Sequence, residues 1–167
     1  NQSVEMIMVF KDVDVKKGFA ISETVQLPKK TTTPASVCIM ASGDMGIKAK
    51  NAKADMVMDE SELTKLSADK KKAKKLINDY DFFLADTKLM PAVGKKLGQL
   101  LGPRGKMPTP VPFNAPIESF LERFRSSVKI KAKGSLSMSC KIGEENMDDA
   151  DLAANANAVA TTIEKIL

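Results

Sequence analysis

The 167-residue sequence contains no histidine and no tryptophan, one tyrosine and two cysteines. Without histidine, a Ser-His or Cys-His nucleophile pair and an imidazole metal site are excluded. Most common hydrolase mechanisms depend on such groups and are therefore excluded as well. Aromatic residues make up 5% of the chain, which disfavours single-strand binding by base stacking. We therefore expect no catalytic residue, no metal and no cofactor.

The cysteines and the hydropathy pattern indicate a cytoplasmic protein. Cys38 and Cys140 are far apart and stand in apolar or alternating runs, so we expect buried thiols in a reducing compartment rather than a zinc or redox pair. No apolar stretch reaches the ~18 residues that a membrane helix needs. The first residues lack the order of a signal peptide, so no membrane partner is expected.

The composition is that of a folded protein with a basic surplus. Apolar residues make up 43% of the chain and charged residues 28%, and ten methionines predict a core of aliphatic and thioether packing. The formal net charge is +5 and the sequence pI is about 9.1. This surplus favours an anionic partner without identifying it.

The two chain ends and the middle follow different patterns. Residues 3–10, 21–27 and 136–142 alternate polar with apolar, which is typical of half-buried strands, and 128–132 is predicted to pair with 136–142 as a hairpin. A last helix is predicted over 148–167.

The middle instead has continuous apolar runs at 35–41, 55–58 and 81–85, with one helix predicted over 60–78 and another from Asp86-Thr87 to Leu101. Such strands and helices indicate a parallel sheet covered on both faces. We therefore predict a combined α/β and α+β protein of two domains. Residues 1–32 and 127–167 form a discontinuous α+β domain, and residues 33–126 form an inserted Rossmann-like βαβ domain.

The positive charge is concentrated along the chain. Residues 87–117 carry five basic side chains and no acid: Lys88, Lys95, Lys96, Arg104 and Lys106. The segment Gly102-Pro103-Arg104-Gly105-Lys106 could present backbone N–H groups and cations to a phosphate. The alternative is a proline-stiffened turn with solvated charge. Its spacing is not that of a nucleoside-triphosphate loop.

Three other segments permit weaker interpretations. Ser42-Gly43-Asp44-Met45-Gly46 follows an apolar strand but lacks the third glycine of a dinucleotide fingerprint. The run Lys70 to Lys75 is typical of a solvated helix face. Asp148, Asp149 and Asp151 suit the first turn of a helix better than a metal site. A small nucleotide-binding α/β transferase using the loops at Gly43 and Gly102 is the alternative function, and a structural adaptor would need exposed apolar patches.

The terminal strands offer the stronger candidate surface. Their outer face is predicted to carry short hydroxyl and charged side chains without bulky apolar residues: Ser3, Glu5, Ser22, Thr24, Lys131, Lys133, Ser137, Ser139 and Lys141. Serine hydroxyls can bond ribose 2′-OH groups and lysines can bind phosphates, so this face could recognise folded RNA by shape. A merely solvated sheet would have a similar composition.

The sequence resembles the ribosomal protein L-one family of the large subunit, in its archaeal form. The signature is Leu89-Met90-Pro91 followed by the segment from Gly98 to Pro112, which includes Gly-Pro-Arg-Gly-Lys-Met-Pro. Residues 23–28, 81–85, 142–143 and 152–155 are similar to further segments of the family, so the resemblance covers nearly the entire chain.

The resemblance implies an RNA-binding protein of the mobile stalk beside the tRNA exit site. The expected partners are large-subunit rRNA, exit-site tRNA, other ribosomal components and the protein's own mRNA, whose translation members of the family often repress. In the family the discontinuous domain grips RNA while the inserted domain moves. The resemblance implies that Ser3 and Ser139 occupy positions whose side chains lie near RNA in members of the family. The basic loop of Lys95, Lys96, Arg104 and Lys106 would face tRNA or fix the inserted domain.

The sequence departs from the family pattern at both ends and near the hinge. The family's first helix and its terminal Thr-Met-Gly strand are absent from this sequence, so we expect a truncated or partly built chain. Thr31-Thr32-Thr33 stands where the family has a glycine-bearing hinge loop. Some RNA contacts are therefore expected outside this sequence.

Overall fold

The structure, a computed structural model, describes residues 2–11, 20–112 and 115–166 and divides the chain into two compact units. The terminal unit comprises Asn1–Pro34 and Ser126–Leu167, and the inserted unit comprises Ala35–Arg125. The domain junctions predicted from sequence, 32/33 and 126/127, lie within two residues of these boundaries. In chain order the elements are β1 (Ser3–Val9), β2 (Ala20–Gln26), β3 (Val37–Met40), α1 (Gly43–Asn51), β4 (Met56–Met58), α2 (Glu60–Ala68), α3 (Lys70–Asp79), β5 (Phe82–Asp86), α4 (Met90–Leu101), β6 (Thr109–Val111), α5 (Ile117–Arg125), β7 (Ser127–Lys133), β8 (Ser137–Glu144) and α6 (Asp149–Glu164).

The inserted unit is built on a parallel sheet with the strand order β4-β3-β5-β6. Every residue of β3 and β5 is buried, as expected for strands that are covered on both faces. Cys38 and Met40 pack on one side with α2, α3 and α4, whereas Val37 and Ile39 pack on the other with α1 and α5. The predicted mixed α/β architecture with a parallel sheet in the middle of the chain is confirmed.

The single helix predicted over 60–78 is wrong, because Asp69 divides it into α2 and α3. The Asp69 carboxylate accepts hydrogen bonds from the backbone N–H groups of Lys71 and Lys72, at 3.0 and 3.2 Å. An aspartate that caps a new helix leaves helical backbone geometry at its own position, so α2 ends there. These hydrogen bonds, that of Lys72 first, also lower the pKa of Asp69.

Sequence reasoning missed the short strand β6, because Pro110 lies in its centre. Proline cannot donate a ladder hydrogen bond and is therefore confined to sheet edges. β6 is such an edge, since among the described residues it pairs only with β5. The inserted sheet consequently has four strands where the apolar runs predicted three.

In the terminal unit, β1 pairs with β8 and β2 pairs with β7, both antiparallel. β7 runs beside β8, joined by a turn at Gly134 with φ +67°. The predicted hairpin ladder between β7 and β8 is corrected, because each hydrogen-bonds to a strand from the other chain end. The core on the inner face includes Ile21, Ile130 and Cys140, together with Val159 and Ile163 of α6.

Candidate nucleic-acid interface

The polar residues that the sequence assigned to RNA lie on the outer face of the terminal strands. This is because β-strand side chains alternate between faces. Intervening residues such as Ala132, Met138 and Cys140 lie in the core. Seven of the predicted residues are exposed and Lys141 is half-buried; the exposed ones are Ser3, Glu5, Ser22, Thr24, Lys131, Ser137 and Ser139. The Lys133 side chain lies outside the part of the chain that the structure describes.

The strand register brings these residues together in cross-strand pairs. Glu5 is opposite Lys141 in the β1–β8 ladder, and Ser22 is opposite Lys131 in the β2–β7 ladder. Directly opposed residues lie within contact distance on one face. The outer face therefore presents hydroxyl groups beside ammonium and carboxylate groups.

The predicted absence of bulky apolar side chains on this face is wrong. Ile7 and Val9 are 71% and 70% exposed. They lie opposite Ser139 and Ser137 in the ladder. The period-two alternation that brings Ser3 and Glu5 to the outer face also brings these residues there, so the signal was present in the sequence. We refer to Ser3, Glu5, Ile7 and Val9 with Ser137, Ser139 and Lys141 as the β1–β8 face.

Glu144, at the end of β8, was not identified from sequence. Its side chain is buried, and one carboxylate oxygen accepts hydrogen bonds from Lys141 Nζ at 2.8 Å and from the Thr33 amide at 3.1 Å. The Lys141 hydrogen bond, with those from Thr33 and Thr32, lowers the pKa of Glu144 to about 2. Part of the positive charge of Lys141 is therefore used within the protein, which leaves less for an RNA phosphate.

Asn155, on α6, is a second buried polar residue that the sequence pattern did not single out. Its side chain is 0% exposed. Its Oδ1 accepts from the Lys29 amide at 2.9 Å, and its Nδ2 donates to the Lys29 and Ile142 carbonyls. An ion pair of 2.9 Å between Lys29 and Asp151 fixes the same segment. The chain leaving β2 is thus attached to α6.

The basic loop predicted around Arg104 makes contacts inside the inserted unit. Lys106 Nζ donates to the carbonyls of Ile77 at 2.8 Å and Tyr80 at 2.6 Å, at the carboxyl end of α3. Arg104 donates to the Asn78 side chain and, at 3.3 Å, to the Lys74 carbonyl. Helix ends leave carbonyls without intrahelical partners and carry partial negative charge. Lys106 therefore caps the end of α3, whereas Arg104 contacts the Asn78 side chain and a carbonyl nearer the middle of the helix. Burial lowers the pKa of Lys106.

Lys95 and Lys96, grouped with this loop from sequence, lie on α4. Lys95 is exposed, whereas Lys96 Nζ donates to the Thr64 hydroxyl of α2 at 2.7 Å. The recorded hydrogen bonds therefore connect Lys96 to α2 and Arg104 and Lys106 to α3, rather than directing the four cations to one anion site.

The two glycine loops of the alternative transferase are too far apart in the topology to share a nucleotide. Gly43 follows the carboxyl end of β3. The loop after Gly102 binds the carbonyls of Ile77 and Tyr80, which immediately precede the amino end of β5. Because β3 and β5 are parallel neighbours, one loop lies at the carboxyl ends of the strands and the other at their amino ends. The arrangement does not support the transferase.

The described ranges contain no cluster of three or more metal-ligating Cys, Asp or Glu side chains. Within the same ranges, no helix is long and apolar enough to span a bilayer. Both cysteines are buried free thiols, and burial raises the pKa of Cys38 to about 12 and also raises that of Cys140. Burial shields both thiols, and a raised pKa lowers the fraction of the reactive thiolate form.

Comparison with known proteins places this fold in a family. The chain is 71% identical over 166 residues to the large ribosomal subunit protein uL1 of Cenarchaeum symbiosum, covering 99% of this chain and 77% of that protein. It is 50% identical to the uL1 protein of Thermofilum pendens, covering 98% and 74%, and 42% identical to that of Archaeoglobus fulgidus, covering 98% and 76%. A family model for the ribosomal protein L1p/L10e family matches residues 1–167. With this match across the whole sequence, the chain belongs to the ribosomal protein L1p/L10e family.

Proposed function

We propose that this protein is a component of the large ribosomal subunit whose terminal unit binds stalk rRNA near the tRNA exit site. The main support for this proposal is the outer face of the terminal strands, where exposed hydroxyl and charged side chains lie in register. The similar proteins are named as large-subunit proteins, which supports the choice of RNA as partner. The chain belongs to a ribosomal protein family, and we assign it no enzymatic activity.

The charge of the terminal unit supports recognition by shape. This unit has ten basic and ten acidic residues, so it carries no formal net charge. Net attraction to phosphates would therefore contribute little to its specificity. Hydroxyl groups at Ser137 and Ser139 can instead bond ribose 2′-OH groups, and the neighbouring Ile7 and Val9 offer apolar contact to sugars or exposed bases.

The inserted unit has a separate part in this proposal. Its parallel sheet with helices on both faces is Rossmann-like. We assign RNA binding to the discontinuous terminal unit, which both chain ends form. We assign to the inserted unit the approach to exit-site tRNA, through which the protein assists the release of deacylated tRNA. Its sixteen basic and eleven acidic residues give it the whole +5 charge of the chain, which suits an anionic partner.

A regulatory role follows from the same RNA-binding face. An RNA segment in the protein's own mRNA that resembles the stalk rRNA fold would bind the same hydroxyl and lysine groups. Binding there would block translation of that mRNA. Competition between the two RNAs for one protein tests this role, because a shared face requires that they displace each other.

The test is binding of the protein to a stalk rRNA fragment and to a scrambled duplex of equal length across salt concentrations. We expect preference for the stalk fragment at every salt concentration. Replacing Ser137 and Ser139 together by alanine should weaken stalk binding by about 5- to 100-fold, since two hydrogen bonds are removed. Ser119→Ala, at an exposed position of α5, is the matched control and should leave affinity unchanged.

Two results would contradict the proposal. Equal binding of both RNAs, lost together as salt rises, would mean that charge alone explains the interaction. Unchanged stalk affinity in the Ser137 and Ser139 double variant would remove the β1–β8 face from the binding site.

A further inference from the structure

The lysines of α3 form a concentrated positive surface on the inserted unit. Five of the first six residues of this helix are exposed lysines: Lys70, Lys71, Lys72, Lys74 and Lys75. One ion pair is recorded among them, between Lys72 Nζ and Asp69 at 3.6 Å. Within the described ranges, the side chains of the other four have no recorded hydrogen bond or ion pair.

This arrangement opposes the electrostatics of the helix. The amino end of a helix carries partial positive charge and favours acidic residues, yet the first turn of α3 contains three lysines and no acid. Lys70 and Lys74 are four positions apart, as are Lys71 and Lys75, so like charges repel along one face. A solvated face would be more stable with mixed charges. Residues that reduce the stability of the fold are expected at positions that serve binding.

The same helix is held firmly from beneath and at its end. Ala73 and Ile77 are completely buried against the sheet. Lys106 binds the Ile77 and Tyr80 carbonyls at the carboxyl end of the helix, and Arg104 binds the Lys74 carbonyl near its middle. The lysine face is therefore presented on a fixed support, which reduces the entropy lost when an extended anion binds.

We propose that Lys70, Lys71, Lys72, Lys74 and Lys75, the α3 lysine face, are a second RNA contact that binds the phosphate backbone without reading sequence. The inference rests on the proposed function in taking RNA as the partner, and it adds a site on the inserted unit. Lysines act as point charges toward phosphates, and none of the five has the planar, bidentate geometry of arginine or of an amide. Specificity stays with the terminal unit, while the α3 lysine face adds affinity that depends on salt.

An acidic peptide is the competing partner, because an open apolar groove adjoins the face. The groove has a volume of about 320 Å³ and is lined by Met56, Leu66 and Leu76 with Lys72, Lys75, Asp79 and Tyr80. Two of the five lysines line it, whereas Lys70, Lys71 and Lys74 do not. Asp79 would also repel an acidic chain in the groove. An anion that lies across the helix would contact more of the five lysines than an anion that lies in the groove.

The experiment compares the protein with the variant Lys71→Gln/Lys74→Gln/Lys75→Gln, using the stalk fragment and the scrambled duplex. The control, Lys48→Gln/Lys50→Gln/Lys53→Gln, removes equal charge at and just beyond α1, on the opposite side of the same sheet. In the α3 variant we expect affinity for both RNAs to fall on the order of tenfold, and the slope of log K against log salt to decrease by about 2 to 3. The ratio between the RNAs should not change. The melting temperature should stay equal or rise, because repulsion is relieved.

Two kinds of result would overturn the inference. An unchanged salt slope in the α3 variant, or an equal decrease in the control, would mean that the α3 lysine face makes no RNA contact of its own. Binding of a polyglutamate peptide that the α3 variant loses, with unchanged RNA binding, would identify an acidic protein as the partner. Failure of the unaltered protein to prefer the stalk fragment contradicts the proposed function instead, and the salt slopes still test the lysine face.

Discussion

Glu144 is the buried carboxylate through which acid should weaken the terminal unit. Its hydrogen bonds from Lys141 and Thr33 hold its pKa at about 2 in the folded state, against about 4.3 for an unperturbed glutamate. Because the folded pKa is the lower one, the stabilisation is complete above pH of about 4.3 and is lost as the pH falls toward 2. Glu144→Gln should therefore be less stable at pH 7 and lose less stability over that acidic range.

Urea unfolding between pH 7 and pH 2 measures this difference. Glu164→Gln, at an exposed position on α6, is the control and should follow the unaltered protein. Parallel pH profiles for the Glu144 variant and the unaltered protein would show that this carboxylate does not set the acid sensitivity. The burial of Glu144 could not be read from the sequence, since its partners Thr33 and Lys141 are brought together by the fold.

The stability of α3 depends on hydrogen bonds from a loop that is distant in sequence. Lys106→Met keeps the unbranched apolar stem but removes the ammonium group that donates to both the Ile77 and Tyr80 carbonyls. We expect the free energy of unfolding of the inserted unit to fall by about 1–3 kcal/mol, the usual cost of leaving such acceptors unsatisfied. Urea denaturation measures it. Lys95→Met, at an exposed position of α4, should change stability by less than about 0.5 kcal/mol.

Most elements could be predicted from sequence because their signals are local. Continuous apolar runs identified β3 and β5, and polar alternation identified β1 and β2. The errors arose where a local signal competed with context. Asp69 caps a new helix within a helical pattern, and Pro110 is tolerated in β6 because that strand is an edge. The role of Lys106 depends on a contact 26 to 29 residues away in sequence.

At the scale of the whole molecule, each unit has its own core and its own cysteine. Cys140 packs in the core of the terminal unit, and Cys38 packs in the core of the inserted unit. Among residues 2–11, 20–112 and 115–166, each buried core residue belongs to the same unit as the rest of its core. Since a thiol reacts once it is exposed and deprotonated, alkylation in dilute denaturant reports the opening of each unit separately.

We expect a destabilising change in one unit to accelerate the labelling of that unit's cysteine alone. Asn155→Ala removes the partners of Lys29 and Ile142 and should speed the reaction of Cys140, whereas Lys106→Met should speed that of Cys38. Mass spectrometry of the two cysteine peptides measures both rates in one sample, and Asn157→Ala, exposed on α6, is the control. If either variant accelerated both cysteines equally, the units would unfold as one cooperative body. Separate responses would mean that the terminal unit keeps its RNA-binding face folded while the inserted unit opens.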